Sequence, residues 1–471
     1  MQKIKTFIKN LELTWNDLFL AVGFLFSVIF YAYAWISMVT ANPDDLFLKP
    51  WMIISCFSIT AICWGIYFYL EIKAGRIKNS FSTWAYVFFL ILSVVTVVIQ
   101  PRSFSNEAVL RTINGGNEDL YGNLPIGSVI PVSGTISDTH VLLFAMGNAV
   151  ITTIFYFMYF TISKRIRNIK FIVFIATVTF AFLICVVLYS YIFEWDHYIP
   201  FVKSLLGGDI EGVYEHSVCS FMAQRVPYGV CMMLGLVFAL TVHAIIEKWQ
   251  MYLLVAFFYF NMIFSYCKTS LIISAILVVL YVAFRLYKTY KDHPKRNKIL
   301  IITFGSIIGL AVILTGLSYV TDGKFIPQLN QLVKSVTESG TIDSRSYIWD
   351  NTFYLLRDGW WIIGRGFGTY NMMLYPMNLV NGDNVCPSHS TYNAVLGAGG
   401  IFSLIGFLAL NGYWVYLTIM CFKKDQMKTI SMSFGAIGFI MYSFTEGVNY
   451  LVTLFLFPMF VLYHQLYKQE Q

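Results

Sequence analysis

Residues 171–193 read FIVFIATVTFAFLICVVLYSYIF, without one Asp, Glu, Lys or Arg. About 20 such residues in a helix span the roughly 30 Å hydrocarbon core of a bilayer and satisfy their own backbone groups while doing so. Stretches of this kind recur along the chain, and each dictates a membrane helix. They predict spans near 16–41, 50–70, 81–100, 141–162, 171–193, 227–246, 250–267, 269–285, 299–320, 391–421, 429–445 and 448–464. The expected fold class is therefore all-α: a polytopic integral membrane protein of about 12 helices. Composition agrees, with 58% of the residues apolar and 12% charged. The first apolar run is too long and continuous for a cleaved signal, so it is expected to remain as the first span.

Lys and Arg are retained on the cytoplasmic side, which makes charge an independent test of topology. With the N-terminus inside, the inner segments hold most of the 32 Lys and Arg, in clusters such as KAGRIK, KRIRNIK and RLYKTYKDHPKRNK. The outer segments hold most of the 25 acids. The net charge of +7 then reads as a topology signal, and a nucleic-acid partner is not expected.

Three outer segments are longer than connectors need to be: 101–140, 194–226 and above all 321–390. Long loops in a compact bundle carry binding or catalysis, so function is expected there. The chain accordingly divides into an N-terminal membrane bundle at 1–320, an extracytoplasmic loop at 321–390 and a C-terminal bundle at 391–471. Inside the last loop, SRSYIWDNTFYLLRDG predicts a short amphipathic helix at the bilayer surface. Ser344 caps it, Arg345, Trp349, Phe353 and Leu356 share one face, and Asp358-Gly359 stops it.

No expected span carries a charge near its middle, so the intramembrane relay of an ion-coupled carrier is missing. The GxxxxGK[ST] loop of an ATP-driven machine is missing too. Polar chemistry gathers instead at the outer face, in His389, Arg345, Arg365, Arg225 and Lys268, with Glu215, His216, His197, Asp196 and Asp383 in reserve. Arginine's planar fork binds phosphate oxygens in pairs and stays charged when partly buried. The histidines and acids show no metal-ligand spacing, and neither a metal nor another cofactor is expected. Of the cysteines, Cys219 and Cys386 fall in outer loops, and whether they pair is left open. The glycines of GAGG lie inside a span and read as helix-packing residues.

The order SRSYIWDNTFYLLRDGWWIIGRGFGTYN, then SHSTYNAVLGAGGIF, resembles the O-antigen polymerase and ligase superfamily. Arg345 with Trp349 matches the family's first motif, Gly364, Gly366 and Gly368 its glycine turn, and His389, Tyr392, Leu396, Gly400 and Ile401 the opening of the next helix. Ser390 stands where Asn is common. In FSYCKTSLIIS, Lys268 stands where the family has arginine, which keeps the charge and loses the fork. The motif-bearing part runs from about residue 250 to 464.

The resemblance implies a GT-C-like glycosyltransferase of the bacterial cytoplasmic membrane, working at the outer leaflet. Its donor would be an undecaprenyl-pyrophosphate-linked oligosaccharide and its acceptor another such unit, or lipid A core if the chain is a ligase. Membrane lipid surrounds it, and a chain-length regulator and a flippase would be its protein partners. His389 and Arg345 are then the expected catalytic residues, and Arg365, Lys268 and Arg225 the expected substrate-binding ones. Transfer would be metal-independent and would invert the anomeric centre. The Ile-, Phe-, Lys- and Asn-rich composition leans toward a capsule or exopolysaccharide system. A non-enzymatic exporter is the rival reading, and the internal repeat it would favour is not found.

Overall fold

A computed structural model of the chain describes residues 14–39, 50–77, 79–113, 117–162, 169–222, 225–242, 246–290, 293–321, 346–366, 368–382, 388–424 and 437–444. Helices α1 (Trp15–Val39), α2 (Pro50–Lys73) and α3 (Phe81–Ile99) come first. Strand β1 (Ser103–Val109), the short α4 (Glu118–Tyr121) and strand β2 (Val129–Thr135) precede α5 (Asp138–Ile162) and α6 (Ile169–Phe193). Then come α7 (Trp195–Gly207), α8 (Ile210–Glu215), α9 (Arg225–Val242), α10 (Lys248–Ser265), α11 (Lys268–Thr289) and α12 (Arg296–Val320). Helices α13 (Ser346–Leu355), α14 (Trp360–Ile363), α15 (Thr369–Leu379) and α16 (Thr391–Lys424) follow.

Among the described residues, 7 helices (α2, α3, α5, α6, α9, α11 and α16) are long and apolar enough to cross a membrane. This is a polytopic membrane protein. Helices also stand at the expected spans occupied by α1, α10 and α12, outside that set. The expected spans 429–445 and 448–464 fall largely outside the described residues, where 437–444 is helical.

The chain forms two compact units. One contains Met1–Thr179, Arg345–Trp414 and Ser443–Gln471; the other contains Phe180–Ser344 and Val415–Tyr442. In the first, α1 lies against α2 because Gly23 leaves room for the Trp64 indole, which a Cβ would overlap. Hydroxyl pairs stitch α3 to α5, Tyr86 to Thr153 at 3.1 Å and Ser93 to Thr152 at 3.0 Å, an economical glue between helices that lipid does not push together.

One element departs from the all-α expectation. Strands β1 and β2 pair antiparallel, Phe104 opposite Gly134 and Asn106 opposite Val132. Alternate residues Phe104, Ala108, Ile130 and Val132 point into a core shared with α13 and α15. Each strand buries so few apolar side chains that a search for long apolar runs passes over it. Asn381, just after α15, fastens this sheet to the late loop. Its Oδ1 accepts the Arg111 and Thr112 N–H groups at 2.7 and 3.1 Å, and its Nδ2 donates to the Val109 carbonyl at 3.1 Å.

The helix expected in SRSYIWDNTFYLLRDG is α13, and Asp358 (φ 59°) and Gly359 (φ 86°) terminate it in the left-handed region as expected. Its expected single face divides. Trp349 and Phe353 are exposed, whereas Leu356 is buried beside Ile348 and Leu355, which pack on the sheet core. Ser344 and Arg345 lie outside the described residues.

In the second unit α9 is central. Every residue from Pro227 to Val242 is buried, as befits a helix apolar all round. Gly235 admits the Phe258 ring of α10, and Gly229 admits the turn between α10 and α11, where a Cβ would press on Cys267 and Ser265.

Candidate functional site

In the first unit the glycine turn and the GAGG segment form one backbone joint. Helix α16 breaks at Gly400 (φ 67°, ψ −167°), and a break at membrane depth strands carbonyls that need donors. The N–H groups of Arg365 and Gly366 supply two, to the Gly397 and Ala398 carbonyls, both at 2.8 Å. Backbones approach this closely only without side chains: a Cβ on Gly364 would strike the Ala398 carbonyl, and one on Gly400 the Ile362 carbonyl. Tyr370 lies across Gly397, its hydroxyl 2.6 Å from that of Thr352 in α13. GAGG is a packing element, as its position in a span implied.

This joint carries Arg365. The guanidinium lies over the Trp360 ring, Cζ 4.1 Å from its centroid, and Nε donates to the Leu355 carbonyl at 2.8 Å. Among the described residues no carboxylate forms an ion pair with it. Burial pulls its pKa down to about 10, with Asp358 partly offsetting the effect. Arg365 is thus a half-desolvated cation with one N–H committed to the fold, the state in which an arginine attracts an anion.

His389 stands two residues before α16, buried, with backbone φ 44°. A non-glycine residue held there costs on the order of 1 kcal/mol, so the surrounding structure dictates the position. The turn is fixed on both sides: the Ser388 hydroxyl donates to the Ser390 carbonyl at 2.8 Å, and Ser390 Oγ accepts the Asn393 N–H at 3.4 Å. Ser390, in the place where asparagine was noted as common, therefore serves as helix cap. Tyr392 is structural; its hydroxyl accepts from Asn411 at 3.0 Å.

The second unit brings together Arg225 and Lys268, the first residues of α9 and α11. Both address Tyr214 of α8: Arg225 Cζ is 4.0 Å from its ring centroid and Lys268 Nζ 5.9 Å. Lys268 is also 6.0 Å from the Tyr266 ring centroid. Tyr266 is left-handed (φ 50°) in the turn before α11, where the Ser265 hydroxyl accepts the Cys267 N–H at 3.2 Å and sets the direction of the new helix. Cations at helix N-termini oppose the helix dipole, so this corner is strongly electropositive. Burial resists ionisation of the Tyr214 phenol, yet the charges and hydrogen bonds of Lys268 and Arg225 outweigh it and lower the pKa. The buried Tyr266 hydroxyl has no hydrogen-bond partner among the described residues. Two cations around an acidified phenol form an anion-binding arrangement.

Of the five expected site residues, Arg225 and Lys268 are brought together, Arg365 and His389 belong to the other unit, and Arg345 lies outside the described residues, as does the reserve Asp383. His197 and His216 stand with ring centroids 6.0 Å apart. Among the described residues no three His, Cys, Asp or Glu side chains gather as a metal site. Cys219 is a free thiol, pushed up to about 11 by burial; Cys386 lies outside the described residues. Sequence reasoning missed Tyr214 and Trp360, the aromatic platforms under the cations. Trp360 stood in view, five residues before Arg365, while nothing in the pattern around Tyr214 marks it.

Residues 229–408 match the family model described as O-antigen ligase, a stretch that includes Lys268, Arg365 and His389 and begins just after Arg225. No curated protein and no solved structure matches the chain. By the family match, residues 229–408 are similar to the O-antigen ligase family, over the region that carries most of the motifs.

Proposed function

We propose that the protein polymerises undecaprenyl-pyrophosphate-linked oligosaccharide repeat units into a surface polysaccharide at the outer leaflet of the cytoplasmic membrane. The family supports glycosyl transfer of the O-antigen polymerase or ligase type. The observation that carries the donor assignment is the pair of cations, Arg225 and Lys268, gathered on Tyr214. A diphosphate leaving group develops negative charge as the bond to the anomeric carbon lengthens, and fixed cations stabilise that charge without reorganising.

In this reading Arg225 and Lys268 hold the diphosphate, and Arg365 and Arg345, in the other unit, keep the phosphate-binding and catalytic roles that the resemblance implies. His389 takes the proton of the acceptor hydroxyl as its oxygen attacks the anomeric carbon opposite the leaving group. One carbon–oxygen bond forms, one breaks, the anomeric centre inverts, and the lipid diphosphate departs as an anion. The charge stabilisation that a metal often supplies to diphosphates falls here to side chains. A specific observation favours a second reading: the matching family model is described as a ligase, whose acceptor would be lipid A core. Purified protein given lipid-linked repeat units, with and without lipid A core, separates the two. Elongation of the lipid-linked glycan alone supports polymerisation, and transfer only when lipid A core is present supports ligation. Consumption of donor in neither condition refutes both.

A further inference from the structure

Helix α7 begins immediately after the membrane helix α6, with only Glu194 between Phe193 and Trp195. Three faces are distinct on it. Tyr198 and Phe201 are buried against the second unit, their rings 4.6 and 5.3 Å from Phe264, with Phe201 also 6.4 Å from Tyr266. Trp195, Ile199, Val202 and Leu206 are exposed, and their spacing of four, three and four residues makes one continuous stripe. Asp196 and Lys203, both exposed, lie on a third side, about a quarter turn beyond the stripe at 100° per residue.

A helix free in water would not keep Leu206 77% and Trp195 62% exposed on one line. The stripe also continues a surface already assigned to lipid. Exposed Ile184, Leu188 and Ile192 run along α6 at every fourth residue and lead directly into Trp195. We infer that α7 lies flat in the membrane boundary where α6 ends, with Trp195, Ile199, Val202 and Leu206 against phospholipid acyl chains and Asp196 and Lys203 toward water. Bundle, lipid and water then each meet the face suited to them, and Trp195 at the bend is the residue type that anchors at such boundaries. Through Phe201 and Tyr266, α7 also sets the depth of the Tyr214, Arg225 and Lys268 corner, placing its cations at phosphate-headgroup level. The inference rests on the second unit alone and does not depend on the proposed reaction.

The test uses the full chain with p-benzoylphenylalanine in place of Leu206 or, separately, Lys203. Each protein is reconstituted in vesicles of phosphatidylethanolamine and phosphatidylglycerol, irradiated, and weighed by mass spectrometry. Both positions are exposed on one helix and tolerate a large side chain, so folding is preserved. A phospholipid-sized mass gain at 206 and its absence at 203 is the expected result. Cross-linking of 206 to a second protein chain, absence of any adduct at 206, or equal lipid adducts at both positions would overturn the inference.

Discussion

Replacing Arg225 by methionine separates a functional cation from a structural one. Arg225 Cζ and Lys268 Nζ lie 4.0 and 5.9 Å from the same ring centroid, so they are at most about 10 Å apart. At an effective dielectric near 20, two charges at that distance repel by at least about 1.7 kcal/mol. A cation in the first turn of α9 adds roughly 0.3–1 kcal/mol of unfavourable interaction with the helix dipole. Against this stands the cation–π contact with Tyr214, worth about 0.5–2 kcal/mol. The unfavourable contributions match or exceed the favourable one by about 0–2 kcal/mol, so Arg225→Met should leave thermal stability unchanged or raise it by up to about 2 kcal/mol. A bound diphosphate reverses the balance, because the charge then stabilises the transition state. Activity should fall by the 2–4 kcal/mol of one charge-assisted contact, on the order of 10- to 1,000-fold. The assay pairs thermal unfolding of the purified protein in detergent with glycan elongation from lipid-linked repeat units. A large loss of stability with activity falling only in step with folded protein would refute the functional assignment.

Tyr214 gives the site a pH dependence of known sign. Its lowered pKa means that the phenolate forms in the folded state before the unfolded value near 10 is reached. Relative to Tyr214→Phe, the wild type should gain stability as pH rises through the folded phenol's pKa, fully by pH about 10, and lose that gain on descent. Over the same window the phenolate competes with phosphate for the two cations, so wild-type activity should decline where Tyr214→Phe activity holds; parallel profiles would exclude the competition. Gly400→Ala should destabilise by roughly 2–4 kcal/mol, since φ is 67° and the new Cβ would meet the Ile362 carbonyl. Gly406→Ala, with open space around it, should not, and equal melting temperatures would disprove the backbone joint.

The membrane helices were legible because twenty uninterrupted apolar residues admit few other structures, and α2, α3, α5, α6, α9 and α11 stand within a few residues of their expected spans. Asp358-Gly359 was legible for a related reason: local chemistry, not distant packing, decides its conformation. The sheet was not, because Phe104 and Ala108 acquire meaning only when α13 and α15 close over them. Leu356 left its expected face for the same tertiary reason. At the site, charge placement was readable and aromatic support was not. Lys268 announced itself as a cation between two spans, whereas Tyr214 matters because α8 folds back across the starts of α9 and α11, which no periodicity records. The kink at Gly400 likewise depends on donors from Arg365 and Gly366, some 35 residues earlier in the sequence.

The most direct test concerns His389 and the lipid-linked donor together. Purified wild-type protein, supplied with undecaprenyl-pyrophosphate-linked repeat units, should release one undecaprenyl pyrophosphate for each glycosidic bond formed. His389→Gln, which can keep a hydrogen bond at the helix mouth but takes up no proton, should fold, bind donor and form links about 100- to 10,000-fold more slowly. Wild-type rates from His389→Gln would contradict the account, as would glycan extension without release of the lipid diphosphate.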